Sequence, residues 1–169
     1  LAYLQELVAR RQAEGVEDAS DIMARLIRET GAAGEDANLL PHELLQNCIF
    51  ILNAGHETTT NLICSGIWLL SQLPDKVAVL NADTSLWPAA IEEVLRMESP
   101  NQLGNRRAVA SFEMGGRHWP EGTLITLGMG AANRDPAVFD RPDEFRLDRG
   151  DNPHLAFAGG VHVCAGNTI

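Results

Sequence analysis

Apolar residues recur at helical spacing over most of the first hundred positions. Leu4, Leu7 and Val8 mark an amphipathic helix over residues 2–14, stopped by Gly15. Ile22, Met23, Leu26 and Ile27 share one face of a second helix over residues 18–29, and the small-residue run 31–40 reads as a loop. The longest periodic stretch runs from Pro41 to Gln72. Pro41 suits a first helical turn, and Pro74 marks the end. Apolar residues lie on most sides of this helix, from Leu44 and Ile49 to Ile67 and Leu70, so it is expected to be central and buried. Short helices follow over residues 75–81 and 88–97.

After Ser99-Pro100 the period changes. Residues 106–110 and 123–127 read as strands, and Gly115-Gly116 predicts a hairpin between 112–114 and 117–119. From Asp135 to Pro153 the chain is rich in Pro, Asp and Arg, which predicts irregular structure. The pattern gives a mainly α chain with a small antiparallel β part, read as one domain over residues 1–169.

Composition narrows the class. At 169 residues and 45% hydrophobic content, the chain can bury a core and is not disordered. Its net charge of −10 lacks the basic footprint of a nucleic-acid-binding protein. No run is long and apolar enough for a membrane span, and the first residues lack a signal-peptide pattern, so the expectation is a soluble, cytoplasmic protein. Cys48 and Cys64 fall on the long predicted helix, roughly 24 Å apart by helical rise, too far for a disulfide. Both are expected to be buried small hydrophobes.

Four stretches carry chemistry. Phe157-Ala158-Gly159-Gly160-Val161-His162-Val163-Cys164-Ala165-Gly166 sets one cysteine in a glycine-rich turn just before a possible helix start, where N–H groups and the helix dipole favour a thiolate. Ala54-Gly55-His56-Glu57-Thr58-Thr59-Thr60 puts a glycine and three β-branched residues in mid-helix. There Thr58 can turn its hydroxyl to the Ala54 carbonyl and open a groove, and Ala54 and Gly55 leave room for a ligand. His56-Glu57 does not make a zinc-protease H-E-x-x-H, because Thr60 stands at the second histidine position. Glu93 and Arg96, three apart, share a helix face and can pair. Arg106 and His162 are cations suited to carboxylate ligands.

These stretches, in this order, resemble the motifs of the cytochrome P450 monooxygenases: the central-helix Ala-Gly-x-Glu/Asp-Thr, the Glu-x-x-Arg, and the haem-thiolate loop. The segment Ala131-Ala132-Asn133-Arg134-Asp135-Pro136 is similar to bacterial members. The resemblance implies the cytochrome P450 fold, incomplete at both ends because members are considerably longer. In a shorter chain the long helix is then expected to leave apolar surface exposed. It implies haem b with Cys164 as the axial ligand, and Arg106 and His162 on its propionates. Phe157, Ala54, Gly55 and Gly166 line the cofactor, and Glu57 and Thr58 relay protons toward dioxygen. Glu93 and Arg96 form a structural pair joined by an arginine of the later irregular segment. Glu144 stands where many relatives have that arginine, which leaves Arg146 or Arg149, with Arg149 preferred. Ala158 stands where most relatives have glycine. Helical geometry puts Phe50, Asn53 and Ala54 on the face of Thr58. With Gln102 and Gly104 they are candidate substrate positions, Asn53 and Gln102 as polar anchors.

The implied activity is hydroxylation of a small organic substrate by O2, with electrons from a ferredoxin and its reductase. A second reading is a haem-free fragment or interaction module. A third is a zinc protein using His154, His162 and Cys164, although these lack the paired spacing of a typical site.

Overall fold

A computed structural model describes residues 2–17, 20–30 and 39–168. The loop expected over 31–40 lies mostly outside the described residues. By internal contacts the chain divides into two compact units, Leu1–Glu57 and Thr58–Ile169.

In the first unit, helix α1 (Ala2–Glu14) and helix α2 (Ile22–Arg28) pack with the beginning of helix α3 (Pro41–Ser71). Val8, Leu44 and Cys48 form the core, covered by Met23, Leu26 and Ile27, the apolar face that the periodicity marks. The described part of α2 starts later than residue 18 because Asp21 caps it, accepting from the Ala24 N–H at 3.0 Å. Arg11 pairs with the same Asp21. At the start of α3, Glu43 reaches back to accept from the Leu40 N–H at 2.8 Å, and Pro41 occupies the first turn, where no N–H is needed.

The second unit is built around helix α5 (Trp87–Met97). Its core joins Leu69 and Leu80 to Ala90, Val94 and Phe145, with Leu80 coming from helix α4 (Pro74–Ala82). Gly66 on α3 permits close packing: a Cβ there would stand 3.1 Å from Val94 Cγ1. Strands β1 (Leu103–Arg107) and β4 (Leu124–Gly128) pair antiparallel, Leu103 opposite Gly128 and Arg107 opposite Leu124. Strands β2 (Phe112–Met114) and β3 (Arg117–Trp119) form a separate hairpin. Gly115 and Gly116 both have positive φ, as a two-residue hairpin turn requires. A short helix, α6 (Met129–Ala132), follows β4. Residues 135–153 have no helix or strand, as their composition predicts.

Three expectations change. β1 lies earlier than the predicted 106–110, because the chain bends after Ala108 bonds to Thr123 O, leaving Val109 92% exposed. α3 is not buried all round: Phe50 and Leu52 are exposed within the first unit, and Ile63, Ile67 and Trp68 within the second. In each unit the packed neighbours cover one side of it. Cys64 is exposed, while Cys48 is buried, and both are free thiols. Burial raises the Cys48 thiol pKa above its ordinary value. Among the described residues no helix is long and apolar enough to cross a membrane.

Candidate functional site

The spacing of Glu93 and Arg96 on α5 directs both side chains inward, and each is at most 1% exposed. They meet in a two-pronged pair, Arg96 Nε to Glu93 Oε1 at 3.0 Å and Nη2 to Oε2 at 2.8 Å. The remaining guanidinium hydrogens go to carbonyls of the later chain: Nη1 donates to Asn133 O and Pro142 O, and Nη2 to Glu144 O. All five donors of Arg96 are thereby used. Glu93 is equally saturated. It accepts from Arg149 Nε at 2.5 Å, from Asn152 Nδ2 at 3.2 Å and from the Arg146 N–H at 3.2 Å. Phe139, itself buried, lies 5.3 Å from the Arg96 guanidinium carbon and 5.7 Å from that of Arg149, measured to its ring centroid.

Burial by itself would raise the Glu93 pKa. The bonds from Arg96, the Arg146 N–H and Arg149 outweigh it, and the carboxyl titrates below its ordinary value. The arginine on Glu93 is Arg149. Arg146 contributes only its backbone N–H there, and its side chain turns outward to Asp140 and Asp148. Glu144 supplies its backbone carbonyl to Arg96, while its side chain pairs with Arg141.

The Cys164 loop is built differently. The Cys164 N–H donates to Phe157 O at 2.9 Å, closing the loop, and the Ala158 N–H donates to Leu155 O at 2.9 Å. Ala158 has φ of +58 and Gly160 +70. The Ala158 methyl therefore sits in the left-handed region, which a Cβ disfavours. Val161 is 95% exposed, and His162, Cys164 and Gly166 are exposed with it. After Cys164 comes a four-residue 3-10 turn (Ala165–Thr168). A Cβ on Gly166 would lie 3.7 Å from Cys164 Sγ, an ordinary contact distance.

The remaining sequence-predicted residues are dispersed over other elements. Phe50, Asn53, Ala54, Gly55 and Glu57 are exposed on α3 in the first unit, with open space at the Cβ position of Gly55. Thr58 is half-buried on α3 in the second unit, and the helix continues unbroken through residues 54–60. Arg106 is exposed on β1 and donates to Asn105 O at 2.9 Å. Gln102 donates to Ser99 O at 2.8 Å and lies over Gly130, where its Oε1 occupies the space a Cβ would need. Gly104 faces the Met129 side chain at contact distance.

Asn133, Asn152 and Phe139 join the assembly without a role that the motifs assign. Asn133 was visible in the Ala-Asn-Arg-Asp-Pro stretch, but nothing in that pattern gives it a role. Among the described residues no group of three or more His, Cys, Asp or Glu is placed to hold a metal ion. His154, one of the residues considered for zinc, instead bonds Glu92 at 2.8 Å.

The donor set fits haem. The exposed Cys164 thiol would offer the iron a soft ligand; Cys64, also exposed, lies on α3 away from any glycine-rich loop. Gly159 and Gly160 beside it have open space where side chains would stand, so bare backbone can approach a flat macrocycle. Arg106 and His162 are exposed cationic or hydrogen-bonding groups of the kind that propionates need.

The buried Glu-Arg-Arg assembly and a thiol loop of this composition define a class, and the comparisons agree. The family model described as Cytochrome P450 matches residues 2–169, and the chain belongs to that family. It is similar to the biotin biosynthesis cytochrome P450 of Bacillus subtilis (strain 168), with 36% identity over 169 residues, 100% of this chain and 41% of the relative. Against cytochrome P450 107B1 of Saccharopolyspora erythraea the identity is 41%, over 99% of this chain and 40% of the relative. Among solved structures, CYP109E1 from Bacillus megaterium in complex with testosterone matches 99% of this chain and 45% of its own, with a TM-score of 0.87 and 32% identity. P450BioI in complex with an acyl carrier protein ligated to hexadec-9Z-enoic acid matches 96% of this chain and 40% of its own, with a TM-score of 0.84 and 37% identity. The chain thus spans about 40% of the length of these curated relatives.

Proposed function

We propose that this chain is the haem-binding part of a cytochrome P450 monooxygenase, in which the Cys164 thiolate would hold the haem iron. The observation that carries the reading is the accessible Cys164 thiol, held in a loop closed by its own N–H on Phe157 O. Thiolate-ligated haem would supply dioxygen activation, in which two electrons and two protons allow one oxygen atom to enter an organic substrate and the other to leave as water.

The chain's own residues have separate tasks. Cys164 binds as thiolate, releasing its proton. Arg106 and His162 would hold the propionates, and Phe157, Gly166, Ala54 and Gly55 are the further residues we assign to the cofactor. Glu57 holds and releases protons at its carboxylate, and the Thr58 hydroxyl passes them inward. Phe50, Asn53 and Gly104 line the substrate side, with Asn53 as a polar anchor. Gln102, its amide already committed to Ser99, serves as wall. The Glu93–Arg96–Arg149 assembly takes no part in the chemistry and holds the scaffold. Electrons come from a ferredoxin-type donor and its reductase, in the cytoplasm.

The test is the absorption spectrum of the reduced, carbon-monoxide-treated holoprotein. A red-shifted Soret band that disappears in Cys164→Ala supports the reading, and a holoprotein without that band refutes it. For the proton relay, Thr58→Ala is expected to divert electrons from product to hydrogen peroxide. Unchanged coupling removes that role.

A further inference from the structure

The buried assembly and the thiol loop are joined through one residue. Asn133 is fully buried, and each of its polar groups has a partner. Its carbonyl accepts from Arg96 Nη1 at 3.0 Å, and its Nδ2 donates to Ser99 Oγ at 2.9 Å. Its own N–H donates to Met129 O, and its Oδ1 accepts from the Leu155 N–H at 2.7 Å. Leu155 is the point where the irregular segment enters the loop. From there the bonding continues, Leu155 O to the Ala158 N–H and then Phe157 O to the Cys164 N–H. A continuous series of hydrogen bonds and short chain steps thus runs from Arg96 to Cys164.

A second tie lies one residue earlier. The His154 side chain is 5% exposed. Its Nδ1 accepts from the Ala156 N–H at 3.3 Å, which leaves the ring proton on Nε2, donated to Glu92 Oε2 of α5 at 2.8 Å. The same ring packs against Phe157, with centroids 5.9 Å apart. Few other described contacts hold the loop, which is otherwise mostly exposed.

We infer that Asn133 and His154 are positioning residues, a two-point clamp that fixes the Cys164 loop on α5 and so sets where the thiolate stands. The inference rests on the reading of Cys164 as the residue that would hold the haem iron. The clamp acts on the ligand through the backbone and touches neither substrate nor cofactor. Removing the Asn133 side chain leaves the Leu155 N–H without its acceptor and frees the loop entrance. Removing the Glu92 carboxylate loosens only the second tie, and Glu92 is half-exposed on the surface of α5.

The experiment uses the haem-loaded protein and three variants, Asn133→Ala, Glu92→Ala and Ser99→Ala. Ser99→Ala serves as control: it deletes the other Asn133 side-chain bond and spares Leu155. Two readouts are taken, amide hydrogen exchange over residues 155–164 and the reduced, carbon-monoxide-treated spectrum. In Asn133→Ala, exchange at Leu155 is expected to become about tenfold faster, with part of the red-shifted Soret band lost to an unshifted band. Glu92→Ala gives a smaller acceleration, about threefold, at Ala156 to Ala158. Ser99→Ala leaves both readouts at wild-type values. The clamp is overturned if folded Asn133→Ala keeps both, or if Ser99→Ala disturbs the loop as much. Should Asn133→Ala not fold, Glu92→Ala decides: exchange at 156–158 unchanged from wild type overturns the clamp. A wild type without the red-shifted band refutes the ligand reading alone, and the exchange data still judge the clamp.

Discussion

Two regions of the second unit handle polar groups in opposite ways. Around Glu93 and Arg96, every guanidinium hydrogen of Arg96 and both carboxylate oxygens of Glu93 have partners supplied by this chain. Around Cys164 the thiol, His162 and Val161 are open to solvent. A buried charge needs its partners built in, because desolvation is costly and only fixed bonds offset it. A cofactor loop needs the reverse, an unfilled surface whose backbone alone is fixed. The contrast fits a scaffold role for the first region and the proposed ligand role for the second, with Asn133 bonded to Arg96 in the one and to the Leu155 N–H at the entrance of the other.

The largest effect that sharpens this contrast should come from Glu93→Ala. It strands the Arg96 and Arg149 guanidiniums and is expected to cost about 3–5 kcal/mol, read as a lower denaturant midpoint and failure to retain haem. A haem-loaded Glu93→Ala of wild-type stability would break it. Next, Arg149→Leu is expected to cost about 2 kcal/mol, the scale of a charged hydrogen bond. Arg146→Leu, whose side chain pairs with exposed Asp140 and Asp148, shifts the midpoint far less. Equal losses would mean the two arginines share the task.

The pH dependence carries the same signature. Because the folded pKa of Glu93 lies below its unfolded value, its contribution is fully present above the ordinary carboxylate range of about 4.3. It is lost as pH falls through the folded pKa. Glu93→Gln should flatten that acid limb of a stability–pH curve, and an unchanged limb contradicts the assignment. The smallest effect lies in the loop. Ala158→Gly, at φ of +58, is expected to gain about 1 kcal/mol by relieving the left-handed alanine. A loss in its denaturation midpoint would show that the methyl packs favourably.

Periodicity made the helices legible, and the i, i+3 spacing alone put Glu93 and Arg96 on one face. Which arginine completes the group was harder to read, because Arg146 and Arg149 lie three residues apart in a segment without a period. Only the path of that segment turns one inward and the other outward. Asn133 was hidden for a related reason: an asparagine before Arg-Asp-Pro reads as a turn former, and burial with four partners is a tertiary property. The all-round apolar pattern of α3 reports what could be covered, not what is. Ile63, Ile67 and Trp68 are exposed in the second unit although the pattern reads as core. The Cys164 loop was legible as composition, while its Ala158 strain required a dihedral.

The division between a self-sufficient scaffold and an open ligand loop is tested most directly by Cys164→Ala, followed by two signals. The account predicts that the red-shifted Soret band of the reduced, carbon-monoxide-treated protein vanishes, while the haem-free form unfolds at the wild-type denaturant midpoint. A retained band, or a midpoint lowered as far as that of Glu93→Ala, would contradict it.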